Sequence, residues 1–308
     1  MPANGSEPHQ TPSEGRLAAP ADAGPRPIEL ELIVPARNEA ARLPDGLRQL
    51  CDALARLPLA ASVVVVDNGS TDGTAELVRN WPAGPVPVRL LSCAERGKGA
   101  AVRAGLLASR ASLVGFMDAD MATTLDVLGR VVSLLVAGHV VVVGSRAHPC
   151  STVEARHNVL RQLGAAGFRA TVRRILPGIG DTQCGFKFFD GEVARRAAGD
   201  MRISGFAFDV ELLARCRAFG AVTTEIPIDW HDMPGSTFHP ARHTLGCLRD
   251  VLRVWWTVGR ITKKTAEDHG PCESCETLGA VLRPTLGVLL AGSMTEPVGG
   301  PAPLTTGS

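Results

Sequence analysis

The chain has 308 residues, 32 basic against 31 acidic, with a formal net charge of +1, so no overall field marks it for nucleic acid. Its hydrophobic content of 45% over that length fills one large domain or two modest ones. No run reaches the ~18 apolar residues of a spanning helix, and the N-terminus lacks a signal peptide's charged start and apolar stretch. The 28 Arg against 4 Lys and the absence of Tyr read as the codon bias of a GC-rich bacterial genome. Eight Cys, scattered singly apart from Cys272 and Cys275, suggest buried thiols in a reducing cytoplasm.

Residues 1–27 are Pro, Ala, Gly and polar, without apolar period, and are expected to form a disordered leader. Ile28–Val34 alternates like a strand and stops at Pro35-Ala36-Arg37-Asn38-Glu39, leaving free backbone at a sheet edge. An apolar-periodic helix follows from about Glu39 to Leu57, interrupted near Pro44. Val63–Val66 is a continuous β-branched run, the pattern of a strand buried on both faces. Asp67 at its end is placed to accept hydrogen bonds from a ribose or base, and Ser70 and Thr71 to cap a helix through Val78. A third strand, Val86–Leu91, leads to Glu95-Arg96-Gly97-Lys98-Gly99 and a helix Ala100–Ser109. Small residues there would let a phosphate approach free amides.

The stretch Ser112–Met117 predicts a buried strand that delivers Asp118 and Asp120 to its end. Two carboxylates two residues apart leave an extended strand on one face and repel each other unless a cation lies between them. Hard oxygen ligands suit Mg2+ or Mn2+ on a diphosphate; a solvated turn would have the same D-x-D. Thr123 or Thr124 is expected to cap a helix to about Ala137, and His139–Val143 to be a fifth buried strand ending at Gly144-Ser145-Arg146. Four strand–helix units and a fifth strand make an α/β, doubly wound, mostly parallel sheet with helices on both faces. Glu39, Asp67, Asp118, Asp120 and Arg146 fall at its strand ends, where α/β sheets bind ligands.

The second half is basic. Glu154–Leu176 predicts a long helix with five Arg against one acid. Asp181-Thr-Gln-Cys-Gly-Phe-Lys187 is a loop entering a strand-like run, Phe206–Leu213 starts a further helix, and Val222–Trp230 is a further strand. Arg242–Lys264 is amphipathic, with six basic residues against Asp250 and the pair Trp255–Trp256. It suits either an interfacial membrane segment or a helix packed on the sheet with its Trp pair in the core. Residues 263–308 are expected to be a flexible tail, in which Cys272 and Cys275 near His269 could bind zinc or form a redox pair, although a structural zinc site usually has four ligands and a thioredoxin-like motif a βαβ context.

The ordered set Val34-Pro-Ala-Arg-Asn-Glu39, Asp67-Asn-Gly-Ser-Thr-Asp-Gly73, Arg96-Gly-Lys-Gly99, Asp118-Ala-Asp120, Gly144-Ser-Arg146, Asp181-Thr-Gln-Cys-Gly-Phe-Lys187, Phe208-Asp-Val-Glu211 and Gly235-Ser236 resembles the family 2 glycosyltransferases of GT-A fold. It looks closest to their dolichyl-phosphate β-glucosyltransferase branch, over about residues 28–262. Asn68 departs from the family's pattern, which has a second acid there, and Thr237 stands where a Lys is common.

The resemblance implies an inverting transfer of a sugar, glucose by this likeness, from a nucleotide-sugar such as UDP-glucose to a polyprenyl phosphate. Pro35, Ala36, Arg37, Glu39, Asp67, Lys98, Asp118 and Ala119 would hold the nucleotide-sugar. Asp120, with or without Asp118, would hold Mg2+ or Mn2+. Arg146 and Lys187 would position the acceptor phosphate. The chain would then work in the cytoplasm against the inner face of the cell membrane, with room for a membrane-protein partner. A soluble hydroxyl acceptor would instead need a general base, for which Asp181 and Asp209 are the choices. A silent nucleotide-sugar sensor is the reading from another class.

Overall fold

The computed structural model describes residues 28–154 and 171–231, together with 249–251, 253, 254, 256 and 257 of a last helical segment. The expected leader, residues 155–170 of the basic segment, Gly235, Ser236, His239, Trp255 and the tail with His269, Cys272 and Cys275 lie outside the described residues.

The elements in chain order are β1 (Leu30–Ala36), α1 (Leu43–Ala55), β2 (Ala61–Asp67), α2 (Thr74–Arg79), β3 (Val88–Ser92), α3 (Lys98–Ala108), β4 (Leu113–Met117), α4 (Leu128–Val136), β5 (Val141–Ser145), β6 (Thr152–Glu154), β7 (Phe186–Asp190), α5 (Gly191–Asp200), α6 (Phe208–Ala218), β8 (Thr223–Pro227) and β9 (Asp229–His231). Seven strands form one sheet in the order β3-β2-β1-β4-β7-β5-β8, and β6 and β9 form a separate parallel pair. Within the large sheet only β7 runs antiparallel, wedged between β4 and β5.

Period-two alternation divides the core. Ile33, Val64, Val66, Val114, Phe116, Val141, Val143 and Phe189 pack under α3, α5 and α6. Leu32, Val34, Val63, Val65, Val142, Phe186 and Phe188 pack under α1, α2 and α4. The sheet is therefore doubly wound and mostly parallel, as its apolar runs imply. Its parallel strands are aligned so that Ala36 lies beside Asp67, and Met117 beside Phe186 at the start of β7. The loops after β1, β2, β4, β5 and β8 and the loop before β7 consequently meet at one edge.

Several local expectations change. Pro44 sits in the first turn of α1, where its missing N–H costs no helical bond. Ser70 and Thr71 do not cap α2: its N-cap is Gly73, and both residues turn toward Asn38 instead. Neither Thr123 nor Thr124 caps α4, which starts later, at Leu128, with Val127 as an N-cap that makes no side-chain bond, because the preceding segment is pinned to β9 through Thr124 N–H to the Asp229 carbonyl (3.1 Å). The continuous strand expected over Val222–Trp230 breaks into β8 and β9 around Pro227-Ile228. Glu154 ends strand β6 and does not begin a helix; helix is described only from 171 to 175, with Val172 and Leu176 buried. Helix α5, capped by Asp190 accepting from Glu192 and Val193 N–H, was not anticipated. Among the described cysteines Cys184 and Cys216 are buried, while Cys150 is exposed.

Gly115 on β4 shows how tightly the two layers close. A Cβ there would lie 2.7 Å from Phe188 Cε1 and 3.0 Å from Leu32 Cδ1. Gly115→Ala should lower unfolding free energy by about 2 kcal/mol through overpacking, measured by urea denaturation; an unchanged midpoint would show that the Phe188 ring moves aside freely.

Candidate active site

Four cation–carboxylate pairs organise the edge. Lys98, the first residue of α3, places Nζ 2.5 Å from Asp118 Oδ1. Lys187, on β7, is wholly buried, with Nζ 2.5 Å from Asp209 Oδ1 on α6, a further hydrogen bond to the Cys184 carbonyl, and the Phe116 ring 5.3 Å away. Arg146, just past β5, grips Asp181 with Nε at 2.7 Å and Nη2 at 3.0 Å. Arg42 grips Glu39 in the same two-pronged way, at 2.8 and 2.7 Å. Paired, these charges can leave water; unpaired they could not.

The shifts follow from that pairing. Burial pushes the Asp120 carboxyl above the usual range and the Asp118 charge adds to it, against the Ala122 N–H and the Lys98 charge. Burial also raises Glu39, outweighing Arg42, with Asp120 and Asp72 adding. For Asp181 burial acts upward, but the Arg146 hydrogen bonds and charge, with the Gln183 and Arg146 amides, hold the carboxyl below its ordinary value. Asp209 is raised by burial against the pull of Lys187 and Lys98. Lys98 is raised: burial opposes its charge, but Asp118 and Asp209 together overcome that.

Residues expected to face a nucleotide converge. Pro35 and Ala36 end β1, Arg37 is exposed beside them, and Asp67 and Ala119 are buried at the ends of β2 and β4. One Asp67 oxygen already takes the Ser70 N–H at 3.2 Å. Asn38 holds positive φ (+55°), stabilised by Thr71 N–H to its Oδ1 at 2.8 Å and its own N–H to Ser70 Oγ at 3.0 Å. Met121, next to Asp120, also holds positive φ (+51°). Such backbone tends to gather at functional sites.

Three expectations need correcting. The start of α3 is not a free anion cradle: Gly99 and Ala100 N–H both donate to the Ser204 carbonyl (2.8 and 3.3 Å). Gly97 and Gly99 are small because the chain's own 203–205 backbone passes there; a Cβ on Gly99 would lie 2.5 Å from the Ile203 carbonyl oxygen and 3.0 Å from that of Gly205. Lys187 is not exposed to an acceptor, because its ammonium is sealed in the core. Asp209, 2% exposed, and Asp181, held by Arg146 and the Gln183 amide, are both committed to other partners.

Other residues emerge to which sequence reading gave no role in the site. Asn68 donates to the Glu95 carbonyl (2.6 Å) and accepts the Gly97 N–H (2.7 Å). A carboxylate could not make the first bond, which gives the departure at this position a physical reason. Glu225 receives Gly180 and Asp181 N–H at 2.9 and 3.0 Å. Glu211, paired with Arg215, receives Arg202 and Ile203 N–H and so holds the loop that presents the Ser204 carbonyl. Trp230 lies under the Arg146 guanidinium at 5.5 Å. With Asp118, Thr123 and Gly185 it lines a small cleft of about 10 Å³.

Asp118 and Asp120 fit a divalent cation as far as two carboxylates can. Among the described residues no lysine answers the Asp120 charge at bonding distance, and no group of three metal-binding side chains exists. Mg2+ held by one or two carboxylates and completed by substrate phosphates has this donor set.

Comparison with known proteins agrees with the architecture. A family profile described as glycosyl transferase family 2 matches residues 31–196. A dolichyl-phosphate beta-glucosyltransferase of Dictyostelium discoideum is 34% identical over 267 residues, 80% of this chain and 79% of that protein. The Homo sapiens protein of the same name is 33% identical over 241 residues, 73% and 74% of the two chains. Among solved structures, glucosyl-3-phosphoglycerate synthase of Mycobacterium tuberculosis with Mn2+, UDP and glucosyl-3-phosphoglycerate superposes with a TM-score of 0.54 at 17% identity, over 75% of this chain and 80% of that one. Mannosyl-3-phosphoglycerate synthase of Rubrobacter xylanophilus does so with a TM-score of 0.54 at 22% identity, over 76% and 75%. The shared fold is GT-A.

The Asp181–Arg146 pair has a signed pH dependence. A carboxyl depressed in the folded state stabilises above its unfolded value, near ~3.9, and loses that contribution as pH falls through the folded value. Asp181→Asn should cost about 3 kcal/mol at pH 7, the low end for a buried pair because Arg146 keeps some solvent. The difference from wild type should narrow below about pH 4, as read by urea unfolding across pH.

Proposed function

The chain belongs to glycosyltransferase family 2, and from that premise we propose that it transfers glucose, with inversion, from UDP-glucose to a polyprenyl phosphate at a membrane surface. Similarity over most of the chain to proteins named for glucosyl transfer to dolichyl phosphate supports the donor sugar and the lipid. One structural observation carries the acceptor's class: both carboxylates that could serve as a base, Asp181 and Asp209, are locked into ion pairs. A hydroxyl acceptor needs its proton removed. A phosphate monoester, with a second pKa near ~6, arrives at neutral pH already a nucleophile.

The residues then divide the work. Pro35, Ala36, Arg37, Glu39 and Asp67 would seat the uridine, and Lys98 the diphosphate. Asp120, joined by Asp118, would hold Mg2+ or Mn2+, which when bound neutralises charge on the departing nucleoside diphosphate. Arg146 is the cation fitted to orient the acceptor phosphate, because its side chain is 30% exposed while Asp181 and the Trp230 face fix its plane. Lys187 supports the site from within the core.

No helix among the described residues is long and apolar enough to cross a membrane. In the last helical segment Val251 and Val254 are buried, whereas Arg249, Arg253 and Trp256 are exposed. Their spacing, i, i+4 and i+7, places them on one helical face, which supports peripheral docking of basic groups and an indole on an anionic bilayer. Such docking would put the enzyme at the inner face of the cell membrane, with or without a membrane-protein partner.

The decisive assay follows label from UDP-glucose or GDP-mannose into polyprenyl phosphate. Asp120→Asn should reduce turnover by roughly 10²–10³-fold. Arg146→Ala should raise the KM for polyprenyl phosphate at least about 10-fold with UDP affinity little changed. Transfer that survives Arg146→Ala but ends with Asp181→Asn in a folded protein would return the acceptor to a hydroxyl. In vesicle co-sedimentation, Arg249→Glu with Arg253→Glu should weaken binding to anionic lipid by up to about 1 kcal/mol per lost basic residue. Equal sedimentation on neutral vesicles would argue against electrostatic docking.

A further inference from the structure

The ion pair at the centre of the edge has a consequence for how the metal site assembles. Lys98 Nζ lies 2.5 Å from Asp118 Oδ1, so the charge of one of the two carboxylates suited to a divalent cation is already answered by a cation of the chain. Lys98 also has a second seat. Its Nζ lies 5.9 Å from the Phe208 ring, beside the buried Asp209, and α3 is drawn against that residue closely enough that a Cβ on Gly99 would fall 2.5 Å from Phe208 Cβ. Asp209 in turn is anchored by Lys187, which is fixed by the Cys184 carbonyl. The charges alternate through the interior as Lys187, Asp209, Lys98, Asp118, and end on Asp120, which among the described residues accepts a hydrogen bond from the Ala122 amide at 3.2 Å.

We infer that Lys98 is a displaceable stand-in for the metal at Asp118: in the ligand-free protein a divalent cation is held through Asp120 alone, and the nucleotide's diphosphate, by drawing the Lys98 ammonium off Asp118, releases that carboxylate to the metal. Asp209, next to the Phe208 ring that Lys98 approaches, keeps the lysine close while it changes partner, and is thus a positioning residue for Lys98. The inference rests on the reading of Asp118 and Asp120 as the metal-holding pair, but on neither the sugar nor the acceptor.

The test uses Mn2+ alone, followed by the free-ion paramagnetic resonance signal without nucleotide. Lys98→Met, with Lys98→Gln as a second variant retaining a polar stem, should tighten Mn2+ binding roughly 10-fold, within the usual range of site coupling, while weakening UDP binding. Asp118→Asn should change Mn2+ affinity little in the wild-type background and abolish the gain in the Lys98→Met background. That non-additivity separates a freed ligand from the simple loss of a nearby positive charge. Folding is checked for each variant by thermal unfolding. Mn2+ affinity indifferent to Lys98, or an equal effect of Asp118→Asn in both backgrounds, would overturn the lysine's role and leave the metal site standing. Failure of every variant to bind Mn2+, with UDP and without, would overturn the metal reading and this inference together.

Discussion

A buried charge has to be answered by an opposite one, and that constraint runs through the active edge of this protein. Desolvating an ammonium or a carboxylate costs several kcal/mol unless a partner sits at bonding distance. Lys187 at 0% exposure and Asp209 at 2% can exist only as a pair, and Asp209 in turn acts on Lys98, which is paired with Asp118. The order of charges fixes which end of the row remains unsatisfied. Among the described residues Asp120 is that end, with no cation at bonding distance, and its carboxyl is pushed up by burial and by Asp118 against the pull of Lys98 and Arg42. On the proposed reading, a cation would be drawn to this edge because the cations paired there among the described residues leave one carboxylate without a partner at bonding distance.

Backbone crowding supplies the second constraint. The Ser204 carbonyl closes the first amides of α3, and Gly97 and Gly99 are what allow the 203–205 backbone that close. Glu211 secures the arrangement by holding Arg202 and Ile203 amides while Arg215 balances its charge. Lys98 thus owes its position to a loop more than a hundred residues away. Asn68 completes the hold from the other side, linking the end of β2 to the Glu95–Gly97 turn.

These contacts mark where the sequence was legible and where it was not. The strand ends could be read, because a period-two apolar run announces both a strand and its last residue. Asp67, Asp118 and Arg146 duly lie at the edge. The Arg96–Gly99 turn misled because glycine admits a ligand's phosphate and the chain's own carbonyl equally well, and no local pattern separates the two. The reversal of β7 was hidden, since strand composition carries no direction. Lys187 was misplaced although its signal was present: by alternation it shares a face with Phe189, while Phe186 and Phe188 fill the other. A strand apolar on both faces is interior, so a lysine within it needs a buried acid. The partner, Asp209, is 22 residues further on, and only the fold brings it there.

The same economy of charge bears on what the site can accept. Among the described residues, the two carboxylates considered as a base are already committed, Asp181 to Arg146 and Asp209 to Lys187. Using one as a base would leave its cation unanswered in a low-dielectric setting, where breaking a buried pair costs more than the pair contributes. An acceptor that brings its own negative charge avoids that expense, since it needs orientation and neutralisation and no proton transfer. Arg146 is suited to orientation because Asp181 takes only Nε and Nη2 of its fork, leaving Nη1 donors within a guanidinium whose plane is fixed. On the function proposed above, such an arrangement would suit the alignment of two anions, a diphosphate and a phosphate, against a cation held by the carboxylates that follow β4.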